Sequence, residues 1–228
     1  MSLFEEHKAE RRARILAAAR ELVAERGYAG LTMRDLAQAS RVSVPTLYNL
    51  FGGKQGLLLG ELQEIFTAVV QGLEQARARS FVERALATCD AGDRALLAAP
   101  GHSRELILLF LTTSDETGPL RRATAEQYTD LMAGILRDGR AAGELADWVD
   151  PSVLSRRMFA HYTQAMIEWA QGELDADEFH DATRFGLCAM LLGFASGAAV
   201  RELRRRLEAL QTSMTTARRP RRRARKGE

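Results

Sequence analysis

Thr46, Tyr48 and Lys54 place two hydroxyls and an ammonium inside one short stretch, a set suited to holding phosphate oxygens. Lys54 opens a helical run, where its charge and the unpaired amides of the helix N-terminus can both face an anion. Arg34 stands at the exposed start of a neighbouring short run and could meet a guanine edge or a phosphate. Val44 or Pro45 could press on a thymine methyl. Thr32 and Ser43 each precede a helical run and read as N-caps; their hydroxyls could also reach a nucleic-acid backbone. For Ser43 the cap role alone is as good an explanation, and Tyr48 could instead be a core residue.

Other chemistries find less support. His7, His102, His161 and His180 lie on separate segments, with no i,i+4 pair and no HExxH, so no metal site is expected. There is no glycine-rich phosphate loop, no GxSxG elbow and no paired-carboxylate signature, so neither catalysis nor a cofactor is expected. Cys89 and Cys188 are too few for a disulfide framework and read as small buried hydrophobes. The charged N-terminus is not a secretory leader, and residues 185–200, uncharged but short of a bilayer, read as a buried interface helix. A cytoplasmic protein, off the membrane, is the expectation. The net charge of +2 conceals a partition: residues 1–60 carry +3, residues 61–200 carry −9 and residues 201–228 carry +8. Polyanion contact therefore belongs at the ends of the chain.

The elements that must position these groups are nearly all helical. Apolar residues recur at three- and four-residue steps, and the 5 prolines and 7% aromatics suit few turns and no β-sandwich. Nine helices are predicted, over residues 5–26, 33–39, 44–50, 54–79, 81–98, 103–113, from about 119 to an end within 137–143, 151–171 and 177–210. The fifth is expected to be disturbed at residues 90–93, and Asp177 is the expected cap of the ninth. Residues 212–228 lack periodicity and are expected to be a disordered basic tail. The second and third helices, separated by a turn at residues 40–43, form a helix-turn-helix, with Leu22, Leu31, Leu36, Ala37, Val42, Leu47 and Phe51 as its core.

The stretch Ile15-Leu16-x-Ala18-Ala19, Glu25-x-Gly27-Tyr28, Leu31-Thr32, Leu36-Ala37, Val42-Ser43, Thr46-Leu47-Tyr48, Phe51, Lys54 and Leu57-Leu58 resembles the TetR family of bacterial transcriptional regulators. The resemblance is close over the first 58 residues and beyond them rests on length and helical pattern. It implies an all-α protein with an N-terminal three-helix DNA-binding domain at 1–58, a ligand-binding and dimerisation domain at 59–211 and the tail at 212–228. It further implies a homodimeric repressor released from a palindromic double-stranded DNA operator by a small-molecule effector. Two departures bear on the DNA face. Ser40-Arg41 stands where Ala-Gly is common, so Arg41 would adopt a left-handed backbone at a cost of about 1 kcal/mol, offset if it reaches a phosphate. Asn49 replaces a common aromatic or histidine and could itself hydrogen-bond DNA.

In the body, the predicted eighth helix mixes Phe159, His161, Tyr162 and Met166, as a cavity wall with a few orienting polar groups would. Phe66, Val70, Leu109, Phe110, Tyr128 and Met132 are the facing candidates, so the effector should be largely apolar. Plain core packing explains each of these singly. Gly186, Met190, Gly193 and Gly197 suggest a dimer face where a partner helix approaches closely, with packing inside the protomer as the rival for Gly186. Two other functions share parts of this layout. A ligand-independent nucleoid-associated protein would keep the head and have a closed body; an enzyme would need titratable groups clustered in the cavity.

Overall fold

The computed structural model describes residues 3–75, 80–112 and 118–224. Among them the chain forms ten helices: α1 (Leu3–Gly30), α2 (Met33–Ala39), α3 (Val44–Phe51), α4 (Lys54–Gln75), α5 (Phe81–Leu97), α6 (Pro100–Thr112), α7 (Gly118–Ala141), α8 (Pro151–Ala170), α9 (Ala176–Leu192) and α10 (Ala198–Ala224). No strand occurs among the described residues, only an isolated bridge between Leu145 and Ala195.

The head consists of α1–α3 and the first turns of α4. Ile15, Leu16, Leu36 and Leu47 are at most 2% exposed, and Leu31, Ala37, Phe51 and Leu57 join them. Burying a leucine stabilises by about 1.5–3 kcal/mol, so one Leu47 anchors a helix as short as α3. Leu22 and Val42 lie only partly buried at the edge of this cluster. The caps are local and strong. Ser43 Oγ accepts from the Thr46 amide and Thr32 Oγ1 from the Asp35 amide, each meeting a donor left open at a helix start. Gly27, at φ 70 and ψ 164, kinks α1 where a plain helix end was expected, and one further turn follows to Gly30. Gly56 lets α4 start against the end of α3, since a Cβ there would fall 1.5 Å from the Phe51 carbonyl oxygen.

In the body α8 packs against α6, α7 and α9, and α5 against α7 and α9, with α4 laid on α5 and α10 on α9. Trp169 is fully buried and stacks on Phe179 at 5.3 Å between centroids. Four expectations are corrected here. α5 is continuous through Asp90–Asp93, because those polar side chains have partners on other helices. Helix α6 starts at Pro100 rather than near residue 103, with the proline in its first turn, where no amide is needed. The cap of α9 is Asp175, not Asp177: its carboxylate takes the Glu178 amide while Glu178 reaches back to the Asp175 amide. The expected single helix over residues 177–210 is two helices, broken between Leu192 and Ala198. There the Ala146 amide donates to the Phe194 carbonyl and the Ser196 amide to the Glu144 carbonyl, both at 2.9 Å, and Gly197 turns the chain at φ 58.

α10 also continues to Ala224, across most of the segment expected to be disordered. Thr212, Thr215 and Thr216 return their hydroxyls to the carbonyls four residues earlier, so they sit in the helix with their donors satisfied. Residues 225–228 of the expected tail lie outside the described residues. No described helix is long and apolar enough to cross a membrane.

Candidate DNA-binding face and ligand cavity

The head turns one face to solvent. Thr32, Arg34, Arg41, Ser43, Pro45 and Asn49 are exposed, Thr46 and Lys54 half-buried, and Val44 packs partly onto the head core. Tyr48 is 51% exposed, which leaves its hydroxyl outward rather than in the core. Arg41 takes φ 54, the one described non-glycine residue in the left-handed region. Lys54 is held by its own helix start: its Nζ lies 5.5 Å from the Tyr28 ring centroid, and the Tyr28 hydroxyl donates to the Lys54 carbonyl at 3.0 Å. Ser43 Oγ and Thr46 Oγ1 are 2.7 Å apart, so the two hydroxyls already share one hydrogen bond. Arg12 escaped the sequence reading. Its guanidinium lies 4.5 Å from the Phe51 ring centroid and donates to the Leu50 carbonyl at 2.7 Å, closing the C-terminus of α3.

The head meets the body through charged groups. Arg20 on α1 pairs with Glu61 at 2.7 Å and also with Glu64, both on α4. Buried Glu61 lies 3.7 Å from the buried ring of His102 on α6. Three residues further along α6, Glu105 accepts from the Tyr28 amide at 2.9 Å, just beyond the Gly27 kink. Thus α6 touches both α1 and α4.

Behind this junction the body holds a cavity of about 400 Å³. Ile65 and Val69 on α4, Leu96 on α5, Leu106, Ile107 and Phe110 on α6, and Phe159 and Met166 on α8 form apolar walls. Arg121 and Arg122 stand on its rim near the start of α7; Arg121 also donates to the Phe110 carbonyl at 3.3 Å. Tyr128, Thr88, Tyr162 and Thr163 supply hydroxyls. The Tyr162 hydroxyl donates to Asp93 Oδ1 at 3.0 Å. Asp93, only 1% exposed, also takes His180 Nδ1 at 2.8 Å and Thr183 Oγ1 at 2.9 Å on its other oxygen. Burial pushes the Asp93 carboxyl above its ordinary range, although these donors oppose the shift. The hydrogen bond to Asp93 raises the pKa of His180. Burial also pushes both thiols up, Cys188 to about 11, so neither is a nucleophile at neutral pH.

Several expected wall residues lie elsewhere. Val70 gives way to its neighbour Val69, which turns inward on α4. Met132 is 1% exposed within the main core rather than on the cavity, and His161 faces α9, its Nε2 3.1 Å from the Ala182 carbonyl. Val70 and His161 each lie one residue off a lining position, and Met132 lies one turn beyond Tyr128 on α7. The side chains of Phe66 and Leu109 lie outside the described residues.

Residues 15–60 match the family model of bacterial regulatory proteins, tetR family. Over those residues the head is that of the tetR family. The fatty acid metabolism regulator protein of Bacillus subtilis is 23% identical over 167 residues, 72% of this chain and 85% of that protein. A TetR-family regulator from Syntrophomonas wolfei superposes with a TM-score of 0.70 at 18% identity, covering 81% of this chain and 96% of that one. The B. subtilis regulator FadR in complex with stearoyl-CoA superposes with a TM-score of 0.65 at 18% identity, covering 80% and 98%. These likenesses show the fold: a helix-turn-helix head on a helical body.

The small residues expected at a TetR-type dimer face divide into two groups. Gly186 packs inside the protomer, because a Cβ there would fall 1.9 Å from His161 Nε2. Met190 is half-buried against the core, Gly193 caps α9 in the open, and Gly197 makes the turn into α10.

Proposed function

We propose that this chain is a cytoplasmic, homodimeric repressor of the TetR family, released from a palindromic operator by an amphipathic effector, an apolar chain with an anionic head. The observation that carries the reading is the cavity: about 400 Å³, apolar along its length, with two arginines on its rim. An anionic head would meet Arg121 and Arg122, while the chain would lie among Ile65, Val69, Ile107 and Phe110. The relatives' chemistry supports this choice, since one is a fatty acid metabolism regulator and one was crystallised with stearoyl-CoA. An open body disfavours a ligand-independent architectural protein. We read the cavity as a binding site rather than that of an enzyme.

Two helices would carry the signal. α4 holds Lys54 at its start and Val69 on the cavity wall, about 22 Å apart along the helix. α6 lines the cavity with Leu106, Ile107 and Phe110 and holds α1 through Glu105. A chain that wedges these helices apart favours a different spacing of the two recognition helices α3. Successive major grooves on one DNA face lie about 34 Å apart, so a change of a few ångströms unseats one head.

The test is selection of bound DNA from a random pool by purified protein, followed by mobility shifts with added acyl-CoA. Selected sites should share an inverted repeat, and the effector should weaken binding about 5- to 150-fold. Selected sites without twofold symmetry, or affinity unmoved by any acyl-CoA, would overturn the proposal.

A further inference from the structure

We propose, resting on the amphipathic-chain reading above, that the cavity measures chain length: Thr88, Tyr128 and Phe159 form a floor about 10 Å from Arg121, so that the effector is a medium-chain acid of about eight to ten carbons. Helices α5, α7 and α8 run along the cavity, and the lining of each stops at the same end. On α5 it runs from Leu96 to Thr88, on α7 from Arg121 to Tyr128 and on α8 from Met166 to Phe159. One turn farther along each helix, Ala85, Met132 and Ser155 are at most 1% exposed and take no part in the lining. The three spans are about 12, 10 and 10 Å at the helical rise, so three rulers give one depth.

The three residues at that end meet one another. The Tyr128 ring lies 5.2 Å from the Phe159 ring between centroids, and its hydroxyl meets the side chains of Thr88 and Cys89. This floor is braced from behind. Tyr128 is buried and stacks on Tyr162 at 5.9 Å, and the Tyr162 hydroxyl is tied to Asp93 at 3.0 Å. Gly92 makes room for that hydroxyl, since a Cβ there would lie 2.5 Å from its oxygen. In a close-packed interior these rings cannot swing aside unless their neighbours move as well. The Thr88 hydroxyl donates to the Ala85 carbonyl at 2.7 Å. The hydroxyls of the floor are therefore engaged within the protein, and the chain end that meets them is a methyl.

The other end is set by charge. Arg121 is half-buried on the rim and donates to the Phe110 carbonyl at 3.3 Å, with the exposed Arg122 beside it. A carboxylate at Arg121 and a methyl on the floor fix both ends of the chain. An extended chain advances about 1.2 Å per bond, so a depth of about 10–12 Å is spanned by about eight to ten bonds. A shorter chain leaves apolar wall uncovered, and each missing methylene weakens binding about fourfold. A longer one must lift its carboxylate off the arginines or displace the braced rings.

The experiment is isothermal titration calorimetry of the full-length protein with hexanoate, octanoate, decanoate, dodecanoate and tetradecanoate, each below its micelle concentration. Affinity should rise about fourfold per added carbon to a maximum at octanoate or decanoate. It should then fall about tenfold by tetradecanoate, which loses its charged contact at Arg121. Phe159→Ala removes a ring from the floor and should move the maximum up by about two to four carbons. Phe159→Leu, a smaller change, should move it the same way and serves where the alanine variant does not fold. Ile65→Ala, on the side wall, should weaken binding at every length and leave the maximum in place. A maximum at hexanoate or beyond decanoate, one unmoved by both Phe159 variants, or one that Ile65→Ala moves as far would overturn the floor and leave the amphipathic-chain reading standing. Binding of none of these acids would remove both.

Discussion

At the scale of single residues, the head is described by side chains whose partners are close in sequence. Thr32 caps a helix through Asp35, and Ser43 does so through Thr46, both three residues away, which is why sequence patterns reveal them. Lys54→Ala should weaken binding to every DNA sequence alike and lower the salt dependence by about one phosphate contact, in mobility shifts across a salt series. Unchanged affinity at moderate salt would remove Lys54 from the phosphate contacts. Asp93 is the opposite case. Its partners Tyr162, His180 and Thr183 are 69, 87 and 90 residues away, and no local pattern announces them. His180 carries a pH consequence. Asp93 and, less closely, Asp90 raise its pKa above the ordinary 6.5, while Arg184 opposes them. A raised pKa means the fold holds the proton more tightly than the unfolded chain. The stabilisation is complete below pH 6.5 and is lost as pH rises through the folded-state value. The upward shift of Asp93 has the same sign, at lower pH. Thermal melts from pH 6 to about 8.5 should therefore show falling stability that His180→Gln flattens; parallel curves for the two proteins would contradict the pairing.

At the scale of elements, helical periodicity placed α1 to α8 but merged α9 with α10 and stopped α10 short of Ala224. The polar run Asp90–Asp93 suggested a disturbed helix because isolated α5 would gain nothing from it. In the fold Asp93 is hydrogen-bonded to Tyr162, His180 and Thr183, Asp90 is paired with Arg184, and the helix is whole. The break at residues 193–197 was hidden by a period that resumes in phase, with Leu203 and Leu207 continuing the stripe on the far side of the turn. Of the expected cavity walls, Phe110, Tyr128, Phe159, Tyr162 and Met166 do line it, α5 was not foreseen, and Val70 and His161 miss because a shift of one residue turns a side chain by about 100°. Close helix approach gives a test at this scale. A Cβ at Gly56 would meet the Phe51 carbonyl, and backbone cannot yield as a side chain can. Gly56→Ala should cost the head about 1–3 kcal/mol in urea unfolding and impair DNA binding, while Gly101→Ala, with open space around it, should change neither.

At the scale of the whole molecule, a short recognition helix contacts too few base pairs to bind tightly alone, so the account requires two heads on a twofold axis. With Gly186 packed closely on His161, the exposed Gly193 is the position to test. Gly193→Arg should convert a dimer seen by light scattering into monomer and abolish specific DNA binding; a wild-type monomer at micromolar concentration would contradict the assembly. The central claim is that the cavity and the DNA face are coupled through α4 and α6. Coupling between two sites is reciprocal by thermodynamic necessity. The direct measurement is calorimetry of effector binding to the free protein and to the same protein saturated with operator DNA. The account predicts that operator weakens effector binding by the same factor, about 5- to 150-fold, by which effector weakens operator binding. Identical effector affinity in the two states would contradict it.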